Sequence, residues 1–211
     1  MPLTVVSHPL VDHRVAALRD PATPPVVFRQ VTRDLATFLV YEATRDLKTE
    51  PSEIVTALGV AAPVRRLVDP GPLVVPILRA GLGLLDGVLA VLPAAEVGLV
   101  GLGRNESTFR AEIYCERLPD DLTGRDALII DPMLATGGSM TTTADMLFAR
   151  NVSRVIALCL IAAPEGVERV HKAHPEVEIV TAVLDDHLDD RAYIVPGLGD
   201  AGDRLFGMTA P

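Results

Sequence analysis

The sequence predicts an α/β protein: a mostly parallel sheet flanked by helices. Three observations lead there. Short apolar runs rich in Val, Ile and Leu, bounded by Gly, Pro or Asp, recur along the chain: LVVPIL from Leu73, VGLVGL from Val97, ALII from Ala127, VIALCLI from Val155 and IVTAVL from Ile179. Runs without polar alternation suit strands buried on both faces. Between them lie apolar residues at helical spacing, namely Leu82, Leu85 and Leu89, then Met140, Ala144, Leu147 and Phe148, then Val167 and Val170. Finally, the 211 residues, 49% hydrophobic and 22% charged, have the size and composition of one globular domain over 1–211. Alternating strands and helices imply right-handed crossovers, with ligands gathering beyond the carboxyl ends of the strands.

From the N-terminus, MPLTVVSHPLVDHR lacks a basic region followed by a long apolar stretch, and no later run approaches the roughly 18 residues that span a bilayer. Pro21, Pro24 and Pro25 mark a local loop. The stretch FRQVTRDLATFLVYEATRDL, from Phe28, forms an amphipathic helix with Val31, Leu35, Phe38 and Leu39 on one side. The alternating core follows. From Tyr193 the tail YIVPGLGDAGDRLFGMTAP is so dense in Gly and Pro that few of its residues are expected in a regular element.

A net charge of −9 argues against a broad surface for nucleic acid or anionic lipid. Cys115 and Cys159 are the only cysteines, and Cys159 lies inside an apolar run, so reduced thiols and a cytoplasmic setting are expected.

Three loops could carry chemistry. In LIIDPMLATGGS, from Leu128, a strand end feeds a helix N-terminus, where unpaired N–H groups and the positive end of the helix dipole attract anions. Gly137 and Gly138 admit close approach, and Thr136 and Ser139 add hydroxyl donors. The Gly-Lys-Ser/Thr ending of a nucleoside-triphosphate loop is missing. Asp131 offers acceptors to a sugar diol, which makes the loop a ribose 5-phosphate cradle; an ordinary turn capped by Asp131 fits it equally well. In VPILRAGLGLLDG, Arg79 follows a strand, and its planar fork suits phosphate or diphosphate; a simple ion pair is the alternative. GLGRNESTFRAEIYCERLP, carrying Arg104, Glu106 and Arg110, reads as a surface hairpin or a lid bringing Arg104 onto a leaving group.

Other chemistries fit less well. His8, Asp12 and His13, or His171 and His174, lack the three convergent ligands of a zinc site. DDHLDD, from Asp185, lacks the glycine and terminal Glu of a calcium loop and reads as a solvated acidic loop, while Cys115 has no evident partner base.

In this order, VPILRAGLGLLDG, GRNEST, DPMLATGGS and YIVPGLGDAGDR resemble the uracil phosphoribosyltransferases of the type I phosphoribosyltransferase group. The resemblance reaches back to HPLVDHR and covers nearly the whole chain. It implies a type I fold with a β-arm over 103–119 and a C-terminal base-binding hood. It also implies a reaction of uracil with 5-phosphoribosyl 1-diphosphate, giving uridine 5′-monophosphate and diphosphate in pyrimidine salvage, with Mg2+ held mainly by substrate and water.

Carried over residue by residue, Arg79, Arg104, Asp131, Pro132, Met133, Leu134, Ala135, Thr136, Gly137, Gly138, Ser139 and Asp200 bind the phosphoribosyl substrate. Tyr193, Ile194, Gly199, Asp200 and Ala201 bind uracil, with Pro196 as a further wall, and Arg104 and Asp200 are the catalytic pair. A homodimer or larger homo-oligomer is implied, and a GTP effector in some members. Asp131 is followed by Pro132, the uracil enzymes' own pattern, and not by the second acid of other type I enzymes, and the arm departs from relatives in carrying Gly103, Arg110 and Cys115 where many members have other, often bulkier residues. The fold also serves RNA-binding regulators of pyrimidine operons, against which the acidic charge counts.

Overall fold

The apolar runs become neighbouring strands of one sheet. The computed structural model describes residues 3–68, 71–104 and 111–207, the side chains of Arg104 and Ala111 excepted. In chain order the elements are β1 (Leu3–Val5), α1 (Pro9–Arg19), α2 (Pro25–Ala43), β2 (Thr49–Val55), β3 (Ala61–Leu67), β4 (Leu73–Leu78), α3 (Leu82–Val91), β5 (Leu99–Arg104) and β6 (Ala111–Arg117). There follow β7 (Asp126–Ile130), β8 (Met133–Leu134), α4 (Gly138–Phe148), β9 (Arg154–Ala162), α5 (Pro164–Ala173), β10 (Glu178–Leu184), β11 (His187–Leu188), β12 (Ile194–Val195) and α6 (Ala201–Phe206).

The main sheet runs β1-β10-β9-β7-β4-β5-β6, with β8 added alongside β9. Every pairing in it is parallel except β5 with β6. From β4 the chain winds outward through α3 to β5 and β6, then returns to β7 and winds the other way. The order therefore reverses between β4 and β7, and the crevice beyond their carboxyl ends is the topological switch point. Arg79 follows β4 and Asp131 follows β7, so the reversal brings together two residues far apart in sequence.

Strand residues alternate between two cores. Val74, Leu128 and Ile130 pack with α1, α2 and α3 on one face, whereas Val75, Ile77, Ala127 and Ile129 pack with α4 and α5 on the other. Both faces of β4 and β7 are thus covered, the burial their unbroken apolar runs predict.

Some expectations need correcting. The first long helix starts at Pro25, a residue pre-set for an N-terminal helical position, and stops at Ala43, short of the expected end. Residues 49–67 form an unexpected hairpin, β2 with β3, pairing only with each other. The tail is more regular than its Gly and Pro content suggests, because it contains β12, paired with β11, and α6. The arm is the antiparallel β5–β6 pair; its residues 105–110, with Glu106 and Arg110, lie outside the described residues. Among the described residues, no helix is long and apolar enough to cross a membrane.

Candidate active site

The loop after β7 is held to β9 almost residue by residue. Asp131 N–H donates to Leu158 O (3.1 Å), and Pro132 O accepts from the N–H groups of Leu160 and Ile161 (3.0 and 3.1 Å). β8 then pairs with β9 before the chain turns into α4. Gly137 makes that turn in the left-handed region, at φ +75°, where a Cβ would lie 2.7 Å from Gly166 O. A Cβ on Gly166 would in turn lie 2.3 Å from Ala135 O. The loop and the first turn of α5 therefore meet backbone to backbone, and each needs glycine. The first N–H groups of α4 have no partner within the helix. They border a small cavity of about 100 Å³ lined by Asp131 and by residues 133–140.

A larger cavity of about 380 Å³ adjoins it. Its walls are Arg79 and Ala80 from β4's end, Asp131, Met133 and Ala135 from the loop, and Ala192, Tyr193, Ile194, Gly199, Asp200, Ala201 and Gly202 from the tail. Asp131, Met133 and Ala135 line both spaces, so the two lie side by side as the two ends of a trough at the switch point. Arg79 carries its guanidinium 5.9 Å from the Phe206 ring centroid. Behind it Gly81 is obligatory, because a Cβ would lie 2.4 Å from Ile130 O. Asp200 caps α6, its carboxylate accepting from Asp203 N–H at 2.9 Å.

Asp131 is the carboxylate whose environment matters most. Burial at the strand end pushes it up to about 7, and a hydrogen bond from the Met133 N–H offsets only part of that. Near neutral pH it is poised between acceptor-only and half-donor forms. The adjacent Cys159 thiol is pushed up to about 12 by burial, which leaves it inert as a nucleophile.

The sequence-derived residues map onto this trough as follows. Arg79, Asp131, Met133, Ala135, Tyr193, Ile194, Gly199, Asp200 and Ala201 border the larger cavity. Leu134, Thr136, Gly137, Gly138 and Ser139 border the smaller one alone. Pro132 lines neither, its carbonyl being spent on β9. Pro196 is also outside the lining; it follows a cis Val195–Pro196 bond in the turn behind the cavity. Arg104 ends β5, and its side chain lies outside the described residues.

Sequence reasoning missed the residues behind the tail. DDHLDD is no uniformly solvated loop: Asp185 is 5% exposed and paired with Arg19, the last residue of α1. Arg204 from α6 reaches the same helix end. For α6 a signal existed, since an Asp with an acid three residues on, as in Asp200 and Asp203, marks a helix start. Nothing local marks the partnership of Arg19 with Asp185, which lie 166 residues apart.

The family model described as uracil phosphoribosyltransferase matches residues 5–208. A uracil phosphoribosyltransferase of Kineococcus radiotolerans is 52% identical over 212 residues, covering 99% of this chain and 100% of its own. The chain belongs to the uracil phosphoribosyltransferase family. Membership makes it a transferase, and relatives are found widely; that of Cutibacterium acnes is 49% identical over 213 residues, again covering 99% and 100% of the two chains. Among solved structures, a protein from Aquifex aeolicus superposes with a TM-score of 0.93 at 40% identity, covering 99% of this chain and 100% of that one. An adenine phosphoribosyltransferase from Trypanosoma brucei, solved with AMP, pyrophosphate and ribose-5-phosphate, reaches a TM-score of 0.60 at 15% identity over 91% of this chain and 88% of that one, a likeness of fold alone.

Proposed function

We propose that this chain, as one domain, transfers the 5-phosphoribosyl group of 5-phosphoribosyl 1-diphosphate to uracil, giving uridine 5′-monophosphate and diphosphate, with the two adjoining cavities dividing the work. The observation that carries this reading is the adjacency of the two cavities at the switch point, one reaching Ser139 and the other Ala201, with Asp131, Met133 and Ala135 in the lining of both. Its small end takes the 5′-phosphate: the start of α4, with Thr136 and Ser139, lines it, and a helix N-terminus favours an anion. Asp131, at the junction, accepts from the ribose hydroxyls. Leu134 and the other apolar members of the loop hold that backbone in place, and Pro132 ties it to β9.

The wide end takes uracil. Uracil offers two carbonyl acceptors and an N3–H donor, and we assign its recognition to the backbone groups of Ile194 and of Gly199 to Ala201, which line this end. Tyr193 supplies a wall. Cytosine reverses donor and acceptor at two of those atoms and leaves buried groups unpaired, at about 1–3 kcal/mol each.

Substitution takes place at the anomeric carbon. Uracil N1 attacks from the face opposite the leaving diphosphate: the N1–C1 bond forms as the C1–O bond to diphosphate breaks, positive charge develops on the ribose, and the N1 proton passes to the departing diphosphate or to water. Arg79 at the β4 end draws off leaving-group charge, and Arg104 from the arm is assigned the same task. Asp131 and Asp200 border one cavity. These two carboxylates would hold a hydrated hard cation through its water shell. Bound there, Mg2+ supplies charge neutralisation of the diphosphate. Asp200 orients the phosphoribosyl substrate and the waters around it.

Self-association into a homodimer or larger homo-oligomer is supported by the β2–β3 hairpin. Val55, Leu58 and Val60 near its turn are 71%, 89% and 61% exposed, more apolar surface than a solitary hairpin is expected to leave in water. A cytoplasmic setting agrees with Cys115 and Cys159 both being unpaired thiols. A GTP response is tested by adding GTP to the assay.

The test is direct: purified protein, uracil, phosphoribosyl diphosphate and Mg2+ are mixed and uridine monophosphate is followed. Product specific to uracil over orotate, adenine and hypoxanthine is expected; absence of product at every pH and with GTP present overturns the reading. An RNA-binding regulator would instead show a salt-sensitive gel shift with uridine nucleotide.

A further inference from the structure

The wide end of the trough is made of a loop with few side chains of its own, so something outside must fix its shape. Between Ile194 and Gly199 the chain turns through Pro196 and through Gly197, whose φ is +63° and whose Cβ would lie 2.0 Å from Ile194 O. The polar groups of Gly197 pair outside the tail. Gly197 N–H donates to Asp185 Oδ2 (2.9 Å), and Gly197 O accepts from Arg19 Nη1 (2.8 Å). Arg19 and Asp185 meanwhile hold each other, Nη1 to Oδ2 at 3.0 Å and Nη2 to Oδ1. Both backbone groups of one residue are thus read by the two halves of a single ion pair.

The next carbonyl is treated alike. Leu198 O accepts from Arg204 Nη1 (2.8 Å), which also donates to Leu18 O, while Nη2 donates to Asp20 O (2.6 Å). Arg204 also stacks its guanidinium 4.4 Å from the Phe28 ring centroid. Leu18, Arg19 and Asp20 are consecutive and end α1.

We infer that the Arg19–Asp185 pair is a positioning device for base recognition: it anchors the uracil-reading loop to the C-terminal turn of α1, and thereby sets affinity for the base without touching it. This rests on the assignment of that loop to uracil. The side chain of Asp185 is 2% exposed and that of Arg19 26%. At such burial a bidentate pair fixes geometry, and losing one charge leaves its partner unmatched. The phosphate loop is held by β9 and α5 and has no hydrogen bond to either residue among the described residues.

The split between the two substrates tests this. Asp185→Asn and Arg19→Met, each compared with the parent, are expected to raise KM for uracil about tenfold or more while KM for phosphoribosyl diphosphate stays within about twofold. Arg19→Lys, which keeps the charge but not the fork, is expected to fall between. Thermal unfolding identifies a variant that has lost its fold; should both strong variants do so, Arg19→Lys is decisive, with a threefold rise for uracil alone expected. A flat uracil KM in a folded variant, or equal rises for both substrates, overturns the inference. An active parent separates these outcomes from failure of the uracil reading itself, which an inactive parent would expose.

Discussion

The two ends of the trough are built by opposite means. The phosphate end, Asp131 to Ser139, is held through its own backbone: a strand stops, the main chain pairs on along β9, and a glycine in the left-handed region starts α4. The base end, Ile194 to Ala201, is a turn whose shape is imposed by side chains, those of Arg19 and Asp185 from elsewhere in the chain and that of Arg204 from the helix that follows. Charge is recognised by a feature any strand-to-helix junction can provide. Hydrogen-bond patterns on a flat base need a backbone set to a fraction of an ångström, and that setting is delegated to a clamp.

The largest expected effect lies in the wide end, at the residues assigned to the leaving group and the phosphoribosyl substrate. Arg79→Ala removes the fork that faces the leaving group and should lower kcat/KM by roughly 10²–10³-fold, by analogy with loss of a transition-state donor. Asp200→Asn should also cripple turnover yet leave the fold intact, because Asn caps helices as well as Asp does. Steady-state rates beside thermal unfolding check both, and two fully active variants would refute the assignment of roles.

Next come the glycines, which separate the ends. Gly137→Ala places a Cβ 2.7 Å from Gly166 O and should raise KM for phosphoribosyl diphosphate roughly tenfold. Gly197→Ala, with a Cβ 2.0 Å from Ile194 O, should do the same for uracil. Each ought to leave the other substrate's KM nearly unchanged. Parallel changes in both would show that the ends are coupled and not independently built.

How far the sequence revealed these two ends follows from the same contrast. β4, β7, β9 and β10 are legible because burial on both faces demands unbroken apolar runs, and the phosphate loop is legible because its strand, acid and paired glycines are contiguous. The β2–β3 hairpin is not, since Pro51 and Pro63 sit inside its strands, where proline normally argues against a strand. Asp185 looks solvated in an acidic stretch until the fold brings Arg19 to it. Long-range pairing of single residues leaves no periodicity to read.

A smaller effect concerns pH. Asp131 is pushed from the ordinary 3.8 up to about 7 in the folded protein. Between those values the folded chain holds a proton that the unfolded chain has released, so this carboxyl's contribution to stability declines as pH rises from about 4 to 7 and is most unfavourable above 7. Asp131→Asn removes that penalty while still accepting from Met133 N–H. Its melting temperature should exceed the parent's by a few degrees at pH 8, with the gap closing towards pH 4, while its activity falls. Affinity of the parent for phosphoribosyl diphosphate should rise with pH through about 7, as the carboxylate becomes acceptor-only. A constant gap in melting temperature would contradict burial as the cause.

The smallest effect on chemistry is expected farthest from the trough. Leu58→Glu, at an 89% exposed position on the β2–β3 turn, should leave the melting temperature of the monomer and both KM values unchanged while lowering the mass seen in sedimentation. An unchanged mass would remove the hairpin from the self-association surface.

The most direct measurement for a trough with two separately built ends is a crystal structure with uridine 5′-monophosphate bound. It should show the phosphate among the N–H groups of residues 136–139, the ribose diol on Asp131, and the uracil edge against Ile194, Gly199 and Ala201, with the Arg19–Asp185 pair unchanged behind Gly197. A nucleotide lying the other way round, with its phosphate beside Tyr193 and its base over Gly137, would contradict the account.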